Sequence, residues 1–406
     1  MKFSRSSKCY FNKWLTKKKM SEIQELLDEY ARVCNYIVEK YQEEIPSSKK
    51  EDKDKGPSKY SFCKKERAYD IILETGTFLS NTLVFNAMYE TYAAVQGEKT
   101  KQADREDGSY FSPKFYGAKV VLPPSVAQHG LAKNTKDFDY FVKLRCLRND
   151  KGHSYSITIP IKRHKQFNKW MNVGKICNSV VLTNKYVMFS FEVNVAEKKA
   201  EGNIVGFDFG MKRLGTLSNG DIIGEDIEKH LYELQRKKRC SKAYYRKKEE
   251  VNTYINTQIK RIGFDDKQLI VVENLKNMKY KMKERGRLSK NIRSVFYNLS
   301  YRQVMNRIEM LCEENRVSFR SIPAYFTSLT CPRCGHIEKG NRLSQESFVC
   351  QNCGYSDNAD HNASINILKR FTTGKYGSGY QSYFNSEFPE LSKESPPEKV
   401  ELLGAG

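Results

Sequence analysis

The 406-residue sequence has no apolar run approaching the roughly 20 residues that a membrane-spanning helix needs, so a helical membrane protein is excluded from the expectations. Its first residues, MKFSRSSKCY, lack the apolar core of a secretory leader. No lipidation signal or amphipathic basic anchor marks it for a membrane surface. No internal repeat is visible, which removes solenoid folds. An oxidised framework is also missing: of eleven cysteines, four form two Cys-x2-Cys pairs and seven are scattered singly. Metal ligation plus reduced thiols, and hence an intracellular protein, is the expectation. Acidic residues are scarce relative to basic ones, 48 against 70, leaving a net charge of +22. Such an excess favours a polyanionic partner through counterion release, with nucleic acid first among the candidates.

The length allows two to four domains. Ile23, Leu26, Tyr30, Val33, Ile37 and Tyr41 recur at helical spacing, with Ser21 and Gln24 placed as a capping box, predicting an amphipathic helix over about 20–45. A polar stretch, a second helical region over about 64–95 and another polar stretch from Gly97 to Ser109 follow. From about Phe138 to Val195 the period becomes two, as in Val187, Phe189, Phe191 and Val193, predicting a small antiparallel barrel or sandwich. Gly202 opens an alternation of buried strands and helices, with a hairpin at Asn219-Gly220-Asp221, one long basic helix to about Ile262, a helix over about 295–315 and a strand over 317–322. The segment from Phe371 onward reads as a disordered tail.

Two apolar strands end in acids: IVGFDFG places Asp208, and LIVVEN places Glu273, at the carboxyl edge where α/β sheets gather their chemistry. A third acid, Asp360 in NADHNASINILKR, opens a packed helix, although Asp favours the N-cap in any case and Asp357 competes for either role. Phosphodiester hydrolysis needs anionic ligands that hold two divalent ions about 3.5–4 Å apart, and three carboxylates from separate segments meet that need. Asp208, Glu273 and Asp360 are therefore the candidate catalytic residues and the candidate ligands of two Mg2+ (or Mn2+) ions.

Cys331-x2-Cys334 and Cys350-x2-Cys353 lie fifteen residues apart, and each pair is followed by glycine. Thiolates two residues apart on a tight knuckle reach one tetrahedral ion, and the glycine lets backbone amides turn toward sulfur. Four thiolates leave no open coordination position, so the predicted Zn2+ is structural. Eleven basic residues lie between Lys229 and Arg261 with few acidic partners at i+4; Arg236, Lys237, Lys238, Arg239, Arg246 and Lys247 are the candidate phosphate contacts. Eight more basic residues lie between Lys276 and Arg293, and Tyr280 and Tyr297 could stack on unpaired bases.

The order IVGFDFGMKRLGTLSNG, LIVVENLKNM, then YFTSLTCPRCG with FVCQNCGYSDNADHNASINIL, resembles the RuvC-like nuclease half of transposon-encoded TnpB proteins and compact type V CRISPR effectors. The resemblance covers about 202–370. It implies a multidomain α/β protein: an RNase H-like (RuvC) nuclease domain with an inserted zinc ribbon, plus a β-barrel (wedge-like) module and a helical recognition module. The implied boundaries are 1–20 for the start of the wedge-like module, 21–110 recognition, 111–200 barrel, 201–328 nuclease, 329–356 zinc ribbon, 357–370 third nuclease motif and 371–406 tail. It assigns Asp208, Glu273 and Asp360 to the three catalytic positions, and prefers Asp360 over Asp357 as the acid two residues before Asn362-Ala363. It gives the four cysteines to a target-strand-loading ribbon and makes the loop after Glu273 a lid over the site.

The implied partners are a guide RNA and double-stranded target DNA, bound by a monomer or by a homodimer on one guide, in the cytoplasm of a prokaryote or from a phage, near the nucleoid. The implied activity is RNA-guided DNA cleavage. A guide-independent RNase H-like or junction nuclease and a non-cleaving guided repressor are the alternatives.

Overall fold

A computed structural model describes residues 2–11, 14–48, 56–105, 107–133, 135–148, 154–194, 196–275, 301–344 and 346–375. Two compact units emerge, Lys2–Asn194 and Val195–Gly406. Among the described residues no helix is long and apolar enough to cross a membrane. The basic loop over 276–293, Tyr280, Tyr297 and nearly all of the expected tail fall outside the described residues.

In the first unit, β1 (Lys2–Tyr10) leads into helices α1 (Lys17–Tyr41), α2 (Lys59–Phe62), α3 (Lys65–Thr75) and α4 (Asn81–Gln102). Strands β2 (Val120–Leu122), β3 (Ala127–Leu131), β4 (Tyr140–Arg148) and β5 (Ser154–Ile161) follow, then α5 (Lys165–Val173), β6 (Gly174–Leu182) and β7 (Tyr186–Asn194). One antiparallel sheet has the order β1-β7-β6-β2 and another β3-β4-β5. The period-two pattern works as expected: Val187, Phe189, Phe191 and Val193 are buried, and Phe167 meets Phe189 and Phe191 edge-on at 5.2 and 5.3 Å. Among the described residues no ladder joins the two sheets, which stand as separate layers around a common core.

Three local expectations change. Helix α1 begins at Lys17, where the hydroxyl of Thr16 accepts the Lys19 amide, so Ser21 and Gln24 lie inside the helix and bond Glu25 and Asp28 instead of capping it. The second helical region breaks in two at Gly76, whose φ of 58° ends α3 in a left-handed cap. Helix α4 runs on to Gln102, into the first residues of the polar stretch Gly97–Ser109, where Lys99 and Lys101 complement its carboxyl end and the polarity reflects exposure rather than a break.

The second unit is built on a five-stranded sheet of order β10-β9-β8-β11-β12. Strand β8 (Asn203–Phe209) pairs in parallel with β11 (Lys267–Asn274), which pairs in parallel with β12 (Ser318–Pro323). The short strands β9 (Gly215–Leu217) and β10 (Ile222–Ile223) add antiparallel through the expected hairpin. Side chains alternate across this sheet. Val205, Phe207, Ile270 and Val272 join a core with α6 (Ile227–Gln235), α7 (Lys242–Lys260) and α8 (Tyr301–Glu314). Ile204, Leu269 and Val271 pack on the opposite face with Ile367 and Phe371 of α9 (Ala359–Thr373). The one long basic helix is in fact two: Cys240 takes a φ of 62° and Ser241 caps α7, so the segment between α6 and α7 turns.

Candidate active site and metal centre

Strand parity puts two of the acids on one face. Asp208 follows Ile204 and Gly206 on the side that packs against α9, and Glu273 follows Leu269 and Val271 on that same side of the neighbouring parallel strand. The ladder pairs Val272 with Phe207, so Asp208 and Glu273 stand side by side at the carboxyl ends of β8 and β11.

Helix α9 delivers the third acid through a close backbone contact. A side chain on Gly206 would lie 2.3 Å from the Ser364 carbonyl and 3.0 Å from the Leu368 amide, so glycine is what lets the helix touch the strand. Ile204, two residues earlier on the strand, packs with Ile367 and Phe371, further along the helix, so the two run in opposite directions. From the Gly206–Ser364 contact, two strand residues advance about 6.6 Å to Asp208. Four helix residues return about 6 Å to Asp360 on the same helix face. The two acids are thus carried to a common point, and a Cβ on Gly210 would lie 3.9 Å from Asp360 Oδ2.

The electrostatics agree with this placement. Burial, then repulsion from Glu273 and Asp360, holds Asp208 well above the usual carboxylate range, with Arg342 only partly offsetting them. Burial also raises Glu273, against the Thr327 hydroxyl and the Arg370 and Arg342 guanidiniums. Asp360 is raised by burial despite Arg342, whose Nη2 lies 3.7 Å from Asp360 Oδ1, and despite Arg213 and Lys212. Asp208 is the acid on which both others act. The oxygens of the three do not all fall within 4.8 Å of one another, so the set is not a closed cage around one ion. A half-buried set of oxygen donors with excess negative charge, spread about a central member, fits a pair of hard divalent cations.

Asp357 is committed elsewhere. It accepts from the Tyr355 hydroxyl at 2.7 Å, the Asn358 amide at 2.7 Å and His361 Nδ1 at 2.8 Å, and these contacts outweigh burial and lower its pKa. The N-cap of α9 is Asn358, whose side chain accepts the amides of Asp360 and His361. Asp360 is therefore free of the capping role that its sequence position also allowed.

The sequence reading missed a buried polar bracket beside Glu273. Thr327 donates its hydroxyl to Glu273 Oε1, while Asn366 donates to the carbonyls of Thr327 (2.9 Å) and Thr330 (2.7 Å). Asn362 also donates to the Thr330 carbonyl (3.1 Å), and Arg370 reaches the Thr330 hydroxyl (3.0 Å) and the Tyr325 carbonyl. Each of these side chains is buried. The available signal was Asn362, Asn366 and Arg370 at i, i+4 and i+8 on the face of α9 that also carries Ala363 and Ile367.

The bracket leads directly into the cysteines. Sγ atoms of Cys331 and Cys353, and of Cys334 and Cys350, are 3.6 Å apart, and all four lie within 4.8 Å of one another. A tetrahedron of Zn–S bonds near 2.3 Å has edges of roughly 3.7 Å, so the set fits zinc. The two knuckles repeat one pattern. Gly335 bonds back to Cys331 and Gly354 to Cys350, both glycines at positive φ, while the Cys331 and Cys350 amides bond the carbonyls of His336 and Tyr355. Burial works against the Cys334 thiolate, but the His336 amide, Asn352 and the neighbouring cysteines bring it down to about 6. The strand pair β13 (Ser347–Val349) and β14 (Ser356–Asn358) closes the ribbon and runs straight into α9.

Of the six candidate phosphate contacts, Arg236, Lys237, Lys238 and Arg239 are exposed on the turn between α6 and α7, and Arg246 is exposed on α7. Lys247 differs: its ammonium lies 2.5 Å from Glu233 of α6 and 3.1 Å from Glu250, and these carboxylates raise its pKa. It braces α6 against α7. The charge pattern along one helix does not display this partner, because Glu233 comes from the other.

Residues 301–367 match the family described as "Cas12f1-like, TNB domain". A CRISPR-associated endodeoxyribonuclease Cas12f1 of Sulfoacidibacillus thermotolerans is 38% identical over 81 residues, covering 19% of this chain and 19% of that protein. A CRISPR-associated DNA-binding protein Cas12m of Thermanaerosceptrum fracticalcis is 25% identical over 251 residues, 56% of this chain and 41% of that protein. InsQ of Escherichia coli (strain K12), provisionally named an RNA-guided DNA endonuclease, is 29% identical over 204 residues, 41% of this chain and 48% of that protein. The chain thus spans less than half the length of each of these relatives. In three dimensions it resembles Cas12f1 from a Cas12f1-sgRNA-target DNA complex, with a TM-score of 0.52 at 14% identity over 87% of this chain and 83% of the other. That likeness bears on the fold, and the family match bears on the ribbon and α9, where the sequence resemblance was most specific. Together they show a multidomain α/β chain similar to TnpB proteins and compact type V effectors, with the family match confined to residues 301–367.

Proposed function

We propose that the chain is an RNA-guided, divalent-metal-dependent DNA endonuclease with a RuvC-like site formed by Asp208, Glu273 and Asp360. The observation that carries this reading is the convergence of Glu273 and Asp360 on Asp208 at the carboxyl edge of β8 and β11, next to the four-cysteine ribbon. The names of the Cas12f1 and InsQ relatives support the reaction type.

In this reading Asp208, with Glu273 and Asp360 on either side of it, would hold the two divalent ions. Bound Mg2+ or Mn2+ supplies Lewis acidity at the phosphate and a deprotonated water. The chain's own part is to orient the acids: parallel strands fix two, and the helix seated on Gly206 fixes the third. The four-cysteine ribbon holds structural Zn2+ and anchors the start of α9. Arg236–Arg239 and Arg246 supply phosphate contacts that carry no base information. The first unit, helices with two antiparallel sheets, takes the recognition and wedge-like roles over 1–200, gripping guide RNA and target-flanking DNA, while 201–370 carries the nuclease and ribbon.

Purified protein is expected to carry one discrete structured RNA, identified by sequencing, and to cut double-stranded DNA that matches its guide segment. Asp208→Ala is expected to abolish cutting, leaving RNA and target binding within a few-fold. Retained cutting by that variant refutes the site. The second reading, a guided DNA-binding protein that does not cut, is favoured by the Cas12m relative's name and its wide match. It predicts target binding by the wild-type chain with no scission in Mg2+ or Mn2+.

A further inference from the structure

Glu273 is buried with one carboxylate oxygen, Oε1, already taken by the hydroxyl of Thr327. Among the described residues that hydroxyl is the donor to this carboxylate, so Oε2 is the oxygen left for a cation. Thr327 sits in a turn between β12 and the first zinc-ligand candidate, Cys331; the turn's own bonds close on the Phe326 carbonyl, from the Leu329 and Thr330 amides and the Thr330 hydroxyl. What ties the turn to the rest of the site is α9: Asn366 holds the Thr327 and Thr330 carbonyls, Asn362 holds the Thr330 carbonyl again, and Arg370 holds the Thr330 hydroxyl. The same helix carries Asp360 at its first turn.

A merely structural bracket could have been built from apolar residues at lower desolvation cost, since every buried polar atom must find a partner. Here polar side chains one and two turns apart on a single helix face converge on one turn, and that turn presents one hydroxyl to one acid. We propose that Thr327 is a positioning residue for Glu273, and that Asn362, Asn366 and Arg370 lock it so that the helix bearing Asp360 also sets the geometry of Glu273. The inference rests on the reading of Asp208, Glu273 and Asp360 as a cation-binding set. Two of the three acids then move together, because one helix positions both.

Outer partners of metal-binding carboxylates change metal affinity or activity by about 10–100-fold when removed. The test uses zinc-loaded, full-length protein. Mn2+ binding is measured by electron paramagnetic resonance, and guided DNA cleavage is followed across a Mg2+ titration. Thr327→Val keeps the shape and removes the hydroxyl; it is expected to weaken Mn2+ binding, and to raise the Mg2+ concentration for half-maximal cutting, by about 10-fold or more. Thr327→Ser is expected to restore both, and the melting temperature of neither variant explains the change. Asn366→Ser, which loosens the turn without touching Glu273, is expected to shift Mn2+ binding in the same direction by less and serves if Thr327→Val does not fold. Wild-type Mn2+ affinity in Thr327→Val overturns the proposal, as does failure of Thr327→Ser to rescue. A wild-type protein that binds Mn2+ but cuts no guided target overturns the endonuclease reading alone. One that binds no Mn2+ overturns both.

Discussion

Two candidate metal sites of the second unit are separated by only the start of one helix, yet they are prepared differently. The four cysteine sulfurs are gathered within 4.8 Å of one another, held by two knuckles with matching backbone bonds. The three carboxylates are aimed at a common point but do not close to that spacing. A thiolate such as Cys334 can share its neighbours' thiol protons at 3.6 Å, whereas carboxylate oxygens push one another away. A structural ion can be captured by a ready-made cage. A pair of catalytic ions needs ligands that spread and a charge deficit that only the ions remove.

The largest effect that could break this contrast lies in the ribbon. One Zn2+ per chain is expected by metal analysis, and stripping it, or Cys350→Ser, is expected to open the segment 329–356 to proteolysis. Structural zinc contributes on the order of 10 kcal/mol to such small modules, far more than the ribbon's four core residues can replace. A zinc-free protein that resists protease as well as the loaded one would show that the cage is not a metal site.

Next in size is the contrast between two neighbouring acids. Asp360→Asn is expected to reduce cleavage by roughly 10³-fold or more, about 4 kcal/mol in the barrier. Asp357→Asn, which alters only the contacts with Tyr355, Asn358 and His361, is expected to leave the rate within a few-fold. Equal losses in both would return Asp357 to the ligand set and dissolve the distinction between ribbon and site.

The smallest expected effect is a slope. Asp208 and Asp360 are raised in the folded chain, burial first and repulsion from the other acids adding at Asp208. An unfolded Asp titrates near about 3.9. Between that value and the raised folded values these two acids hold more protons in the metal-free fold than in the unfolded chain. The contribution of these two acids to stability is therefore fully present below the ordinary carboxylate range and is lost as pH rises through the folded values, by at most about 1.4 kcal/mol per pH unit per proton. Mg2+ favours the ionised acids and should oppose that slope, so melting curves with and without Mg2+ should diverge as pH rises. Parallel curves would mean that the acids do not bind the ion.

Much of this arrangement was legible in the sequence because it depends on local rules. Apolar strands ending in Asp208 and Glu273, the hairpin at Asn219-Gly220 and two glycine-backed cysteine pairs are short patterns with short-range causes, and each lies where those patterns indicate. Distinguishing Asp357 from Asp360 was a matter of resemblance until the structure showed Asn358 as the cap. What the residues did not display depends on partners far apart in the chain. Lys247 looked like a phosphate contact because Glu233 stands on another helix, and the break at Cys240 required a left-handed residue that is not glycine. The bracket around Thr327 was hidden for the same reason: its donors lie 32 to 40 residues beyond the groups they hold.

The missing side chain at Gly206 has a further consequence for how this protein can vary. With main chain resting on main chain there, no rotamer stands between the strand and the helix, and the gap separating Asp208 from Asp360 is measured in peptide units alone. Further along the helix, by contrast, the spacing is set by side chains, Ile204, Leu269 and Val271 against Ile367 and Phe371. The point of the helix nearest both acids is therefore the one where no side chain can adjust, and one added methyl at position 206 is enough to lose it.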